Sequence, residues 1–213
     1  MPKLIIGVLA LQGDFAKHIQ MLQSIELESY AIETTEVRKP IQLENCDALL
    51  IPGGESTSML KQMHFIDFSD ALKSFAQQKP IFGTCAGLIL ISNAIASDAM
   101  QPFGFLDVQV ERNAYGRQNE SFTTEVALQL ETEKDEASPC TTQPFKAVFI
   151  RAPRIQSCGP EVNVLARLGD DPILVQQGKH LGATFHPELT SNTAIHRHFL
   201  SIVEANLNRR KSH

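Results

Sequence analysis

Three short stretches of the chain, residues 4–11, 48–51 and 80–82, carry no polar side chain, and each is cut off within two residues by a glycine. A strand with one wet face alternates polar and apolar residues. A strand that is apolar throughout is covered on both faces, as in a parallel sheet packed between helices. Longer segments with helical spacing separate these runs. Residues 15–28 carry Phe15, Ile19 and Leu22 on one face, and 31–37 form a further strand ended by Lys39-Pro40. A helix is expected from about 56 to 77 with a break near 65–68, and another over 86–96. Strands alternating with helices predict βαβ units, a mostly parallel sheet and right-handed crossovers.

The second half changes character. Residues 107–111, 121–130, 146–150, 163–166, 173–177 and 181–185 are strand candidates with short connections, and the polar segment 131–143 is expected as an exposed loop. A last helix begins near Ser191 or Asn192, either of which can cap it, and Ile195, Phe199, Ile202 and Val203 form its apolar stripe. Arg209-Arg210-Lys211 reads as a frayed, solvated tail. No repeat, low-complexity tract or linker divides the sequence, so residues 1–213 are expected as one α/β domain.

Several function classes are excluded early. Of the 213 residues, 43% are hydrophobic and 20% charged, an ordinary globular balance rather than that of a disordered chain. The net charge of −5 offers no basic surplus for a phosphate backbone, so nucleic acid is not expected as a partner. The four cysteines, at 46, 85, 140 and 158, form no close pair of the kind a structural zinc site needs, and neither metal nor cofactor is expected. Reduced thiols in a cytoplasmic setting are the simplest reading, with Cys46, Cys140 and Cys158 structural or incidental. Residues 4–11 are too short for a membrane span and lack a cleavage site, so neither a signal peptide nor a membrane partner is expected.

The sharpest local feature is Gly83-Thr84-Cys85-Ala86-Gly87, between the 80–82 strand and the 86–96 helix. This is the G-x-nucleophile-x-G pattern of a strand-to-helix elbow, with cysteine as the nucleophile. Glycines flank the nucleophile because the turn leaves no room for Cβ atoms. The thiol lies at a helix start, where the dipole favours the reactive thiolate, and the Ala86 N–H is a natural oxyanion donor. A buried structural thiol is the alternative; the strand–turn–helix context favours the nucleophile. A thiol nucleophile needs a general acid/base. His186, at the end of the 181–185 strand in His186-Pro187-Glu188, is the best placed of seven histidines, because Glu188 two residues on projects to the same side and can orient the ring. His196 and His198 are expected on a helix surface, and His18, His64 and His180 lack an adjacent orienting acid.

Gly53-Gly54-Glu55-Ser56-Thr57 ends another parallel strand, where ligands bind in such sheets. Its glycines let backbone N–H groups approach a substrate, and a second oxyanion donor would come from this loop; it lacks the Gly-Lys-Ser/Thr ending of a phosphate-binding loop. Arg112 and Arg151 each follow an apolar strand. Each could clamp a substrate carboxylate or make an ordinary surface ion pair.

Taken together, these features resemble the class I, triad-type glutamine amidotransferases. Within them, the chain is similar to the PdxT/SNO family of glutaminase subunits of pyridoxal 5′-phosphate synthase. The resemblance is carried by Gly7-Val8-Leu9-Ala10-Leu11-Gln12-Gly13, Pro52-Gly53-Gly54-Glu55-Ser56-Thr57, Phe82-Gly83-Thr84-Cys85-Ala86-Gly87-Leu88, Val110-Glu111-Arg112-Asn113-Ala114-Tyr115-Gly116-Arg117-Gln118, Phe149-Ile150-Arg151-Ala152-Pro153 and Phe185-His186-Pro187-Glu188-Leu189-Thr190, in family order along nearly the whole chain. It implies a flavodoxin-like three-layer sandwich. It implies hydrolysis of L-glutamine to glutamate and ammonia through a Cys85 thioester, with His186 moving protons and Glu188 orienting it. Gly54, Glu55, Ser56, Arg112, Ile150 and Arg151 match the glutamine-binding positions, and Gly54 and Ala86 the oxyanion hole. Gln12 matches a position near the interface with a (β/α)₈-barrel synthase subunit, which takes up the ammonia for vitamin B6 biosynthesis in a large hetero-oligomer. Segments 24–44 and 131–143 are longer than the family pattern. A thiol peptidase on the same fold, or a catalytically silent binding subunit, are the competing readings.

Overall fold

The computed structural model describes residues 1–96, 100–112, 114, 121–130 and 141–211. In chain order its elements are β1 (Lys3–Leu9), α1 (Phe15–Gln23), β2 (Ala31–Val37), β3 (Ala48–Ile51), α2 (Ser56–Phe65), α3 (Phe68–Gln78), β4 (Ile81–Thr84), α4 (Ala86–Ile91), β5 (Ala94–Ile95), β6 (Val108–Glu111), β7 (Ser121–Leu130), β8 (Thr141–Ile150), β9 (Arg154–Cys158), β10 (Asn163–Leu168), β11 (Asp171–Gln177), β12 (His180–Ala183) and α5 (Ala194–Lys211). A 3₁₀ turn, Pro187–Leu189, precedes α5.

The central sheet has the order β10-β11-β12-β4-β3-β1-β2. Its five strands from β12 to β2 run parallel, and β11 is antiparallel to both of its neighbours. The period of two along each strand sends side chains to two cores. Leu50 and Phe82 face one core with α1, α5 and the β7–β8 hairpin, whereas Leu49, Ile51 and Ile81 face the other with α2, α3, α4 and the small β5-β6-β9 sheet. The apolar runs are therefore covered on both sides, for the reason their composition gives, and the fold is a mixed α/β sandwich with a mostly parallel sheet.

Several boundaries differ from the sequence expectations. The first helix stops at Gln23 rather than 28, because the Ser24 hydroxyl donates to the Met21 carbonyl at 2.7 Å and closes the turn. The helix expected over 86–96 ends at Ile91. There the Ser92 hydroxyl donates to the Ile89 carbonyl at 2.8 Å, and the chain leaves to pair as β5 with β6. Strand β8 begins at Thr141 rather than 146, so residues 141–143 are strand and not loop, while residues 131–140 lie outside the described ones. Strand β9 was not expected; its Arg154, Gln156 and Ser157 are exposed and only Ile155 is fully buried, too little apolar signal to mark a strand. Arg209-Arg210-Lys211 forms the last turn of α5 rather than a frayed tail, its cations facing the negative end of the helix dipole. The Asn192 side chain accepts from the Ala194 N–H at 2.9 Å and so caps this helix.

Candidate active site

Parallel strands end on one edge of a sheet, and here that edge collects the chemistry. Moving across it, β12 leads to His186, β4 to Cys85, β3 to Gly53 and Gly54, and β1 to Gln12. The first three of these strands are adjacent, so residues up to 133 positions apart in sequence become neighbours.

The elbow is tight. Cys85 has φ 48° and ψ −104°, a conformation costing about 1–3 kcal/mol for a residue with a Cβ. Its N–H donates to the Ala183 carbonyl at 2.8 Å, which ties the turn to β12. A Cβ on Gly83 would lie 2.6 Å from the Gly87 backbone, and one on Gly87 would lie 2.1 Å from the Ile51 carbonyl oxygen. The glycines thus serve close backbone approach. Ala86 opens α4, and its N–H is among those that a helix start leaves without an intrahelical acceptor.

Cys85 is buried, its sulfur 3.9 Å from the Ile150 carbonyl oxygen, at the end of the strand that pairs with the one leading to His186. The His186 ring lies against Gly53, where a Cβ would come within 2.5 Å of its Cε1. Its main-chain N–H donates to the Val148 carbonyl at 2.8 Å, so the β7–β8 hairpin carries both Ile150 and the anchor of His186. His186 Nδ1 stands 2.7 Å from Glu188 Oε1, which leaves Nε2 for the sulfur. Burial alone would lower the ring's pKa, but its hydrogen bonds to Cys85 and Glu188, with the negative charge of Glu188, overcome that and push it up to about 10. The arrangement can hold a proton on imidazole beside a sulfur nucleophile and then hand that proton to a leaving group.

The glycine loop is braced from two sides. The Glu55 carboxylate caps α2 by accepting from the Thr57 and Ser58 N–H groups at 3.0 and 2.7 Å. Burial opposes its ionisation, but those backbone bonds and the neighbouring Arg112 hold its pKa below the ordinary value. Arg112 donates to Thr57 Oγ1 at 3.1 Å and pairs with Glu55 Oε1 at 3.2 Å. The Gln12 side chain accepts from the Glu55 N–H at 3.1 Å and donates to Ser58 Oγ at 2.8 Å. Ser56 is buried at the first turn of α2. Gly54 adopts φ +152°, and Arg151, beside Ile150, is exposed with φ 43°. Among the described residues, two of the three positive-φ residues other than glycine, Cys85 and Arg151, therefore border this site. Asn113 and residues 115–118 of the Arg112 motif lie outside the described residues, as does Cys140. The buried Cys46 thiol is pushed up to about 11 by burial. Among the described residues no cluster of His, Cys, Asp or Glu is arranged to hold a metal, and no helix is long and apolar enough to cross a membrane.

Two histidines contradict the sequence expectation. His196 is fully buried rather than on the surface of its helix, and His18 meets an acid after all, its Nε2 3.2 Å from Glu188 Oε2. His18 Nδ1 is 3.0 Å from His196 Nε2, and Thr84 Oγ1 is 3.3 Å from His18 Nε2. A signal was available in the spacing: His18 falls three residues after Phe15 and four before Leu22, and His196 falls three before Phe199. Burial lowers the pKa of His18 well below the ordinary value, assisted by His196 and His186; it lowers that of His196 to about 3 and that of His180 to about 4. All three are neutral in the folded chain and titrate near 6.5 once unfolded. Below that pH the unfolded chain gains protons the folded one refuses, so stability falls by about 1.4 kcal/mol per pH unit for each residue. His186 has the opposite sign: its contribution is complete below pH 6.5 and is lost toward pH 10. The urea midpoint should therefore drop steeply from pH 6.5 to 5, and His196→Phe should remove about a third of that slope; an unchanged slope would refute the neutral burial of His196.

A sequence profile of the SNO glutamine amidotransferase family matches residues 8–205. A relative named pyridoxal 5′-phosphate synthase subunit PdxT, from Pseudothermotoga lettingae, is 46% identical over 199 residues, 92% of this chain and 94% of that protein. A protein of the same name from Thermotoga maritima is 42% identical over 200 residues, 93% of this chain and 99% of its own. A crystal structure of a glutamine amidotransferase superposes with a TM-score of 0.80 at 42% identity, over 93% of this chain and 98% of that one. The glutaminase domain of CTPS from Trypanosoma brucei, 13% identical, shares the fold with a TM-score of 0.55 over 97% of this chain and 94% of its own. With the profile spanning all but the two ends of the sequence and relatives this similar over nearly their whole length, the chain belongs to the SNO glutamine amidotransferase family.

Proposed function

We propose that this chain is the glutaminase subunit of a pyridoxal 5′-phosphate synthase. The observation that carries the reading is the meeting of Cys85, His186 and Glu188 at one sheet edge, opposite the Gly53-Gly54 loop. The Cys85 sulfur attacks the side-chain amide carbon of L-glutamine, and the carbonyl oxygen takes negative charge against the N–H groups of Ala86 and Gly54. His186 gives its proton to the nitrogen as the C–N bond breaks, and ammonia leaves. Water, deprotonated by His186, then cleaves the γ-glutamyl thioester and releases glutamate and the Cys85 sulfur. Glu188 orients the ring throughout. Arg112 and Glu55 with Ser56 on one side, and Ile150 with Arg151 on the other, border the substrate. The ammonia passes to a (β/α)₈-barrel synthase subunit that docks on the side of Gln12.

The test is ammonia release from glutamine, with the chain alone and after mixing with a barrel synthase from one of the relatives' organisms. Release that rises on mixing supports the reading. Stable association without release in either sample would identify a silent binding subunit, and labelling of Cys85 by peptide electrophiles but not by a glutamine analogue would identify a peptidase.

A further inference from the structure

We propose that His18 is a positioning residue for the reaction, a second imidazole donor that fixes the Glu188 carboxylate from behind and is itself held by His196. The proposal rests on the glutaminase reading above and extends it beyond the three residues that face the substrate.

The Glu188 side chain is fully buried, so each of its oxygens needs a donor. Oε1 has His186 Nδ1 at 2.7 Å. Oε2 has no well-aligned hydrogen bond, yet His18 Nε2 stands 3.2 Å from it. A single carboxylate therefore bridges two imidazoles brought from opposite ends of the chain, one on α1 and one after β12. A buried carboxylate with one free oxygen can rotate about its last bond, and the His186 ring would follow it. A donor on the second oxygen removes that freedom.

The protons on this chain are determined by its far end. His196 Nδ1 is buried with no partner among the described residues, and His196 Nε2 is 3.0 Å from His18 Nδ1. An N–H buried without an acceptor costs more than a bare nitrogen lone pair in an apolar pocket. His196 thus carries its proton on Nε2 and donates to His18 Nδ1. His18, being neutral, must then carry its own proton on Nε2, which faces Glu188 Oε2 and the Thr84 hydroxyl. The opposite assignment would aim a lone pair of His18 at a carboxylate and bury an unmatched N–H on His196. Both rings are completely buried, and the Phe82 ring packs edge-on to His196 with centroids 6.0 Å apart, so neither can turn to seek another partner. Neutrality also matters: a charged His18 would compete with His186 for the same carboxylate.

The test uses the full chain with the barrel subunit that activates it, comparing wild type, His18→Leu and His18→Gln. Leucine fills the space without a donor, whereas glutamine places an amide N–H close to the imidazole Nε2. His18→Leu should lose about tenfold or more in kcat with little change in KM for glutamine, and His18→Gln should regain most of the loss. Wild-type kcat in His18→Leu, or equal losses in both variants, would overturn the proposal. Nitrogen-15 NMR of the wild-type imidazoles decides the matter even if the leucine variant does not fold: a proton on His18 Nε2 supports the relay, and a proton on Nδ1 overturns it. A wild-type sample that releases no ammonia with its partner would sink the glutaminase reading instead, while the NMR result would still report on His18.

Discussion

Cys85→Ala is expected to bring glutamine hydrolysis down to background, a loss on the order of 10⁴-fold or more. No other thiol can substitute among the described residues: Cys46 is sealed in the core beneath β3 and Cys158 lies on β9, away from the strand ends that meet at the site. The substitution keeps a Cβ at the strained elbow and removes only the sulfur, so stability should change little. The variant should still melt cooperatively and still bind the synthase. Two measurements check this, ammonia release in the activated complex and association of the variant with its partner. Activity close to wild type would remove the nucleophile, and with it the proposed reaction. A second consequence follows at His186: with the sulfur gone, one of the groups that hold its proton is lost, and the ring should titrate at lower pH than its value of about 10.

Gly87→Ala should be the most damaging single-methyl addition in the elbow. In an exposed helix the change would gain about 1 kcal/mol from propensity. Here the new Cβ would lie 2.1 Å from the Ile51 carbonyl oxygen and 2.9 Å from its carbon, both backbone atoms of a central strand that cannot swing aside. Helix α4 would have to lift from β3, opening the packing of Leu88 and Ile91 as well. A net loss of about 2–4 kcal/mol is expected from such overpacking. Gly178→Ala is the control. That glycine has φ 55° but nothing within 4 Å of the added atom, so only the left-handed backbone penalty of about 1–2 kcal/mol applies. Urea unfolding of the two variants beside wild type measures the difference. A loss in Gly87→Ala no larger than that in Gly178→Ala would overturn the close approach of α4 to β3 as the reason for glycine in the elbow.

Gly87 illustrates what could be read from the sequence. The apolar runs, the elbow and the His-Pro-Glu sequence are local patterns, and the physical demand behind each acts within a few residues. The strand ends, and therefore the meeting of Cys85 with His186, follow from the rule that parallel strands present their ligand sites at one edge. What lay beyond local reading was the far side of Glu188. His18 comes from the first helix and His196 from the last, and nothing adjacent to either residue in the sequence mentions a carboxylate. The helix lengths failed for a related reason. Serine hydroxyls at 24 and 92 closed the helices early, and a serine in a polar stretch gives no sign of whether it will cap or continue. Strand β9 escaped notice because its exposed residues depend on pairing with β6 rather than on burial of their own.

The parallel arrangement also gives the sheet a second edge, opposite the one where Gln12, Gly53, Cys85 and His186 gather. Strand β1 climbs seven residues, about 20 Å, from Lys3 to the edge where Gln12 and the glycine loop stand. Met1 sits at the bottom of that climb, 77% exposed. An affinity handle, a fluorophore or a surface tether joined at Met1 hangs from the floor of the sheet, with the whole thickness of the strands between it and the edge that carries the proposed site.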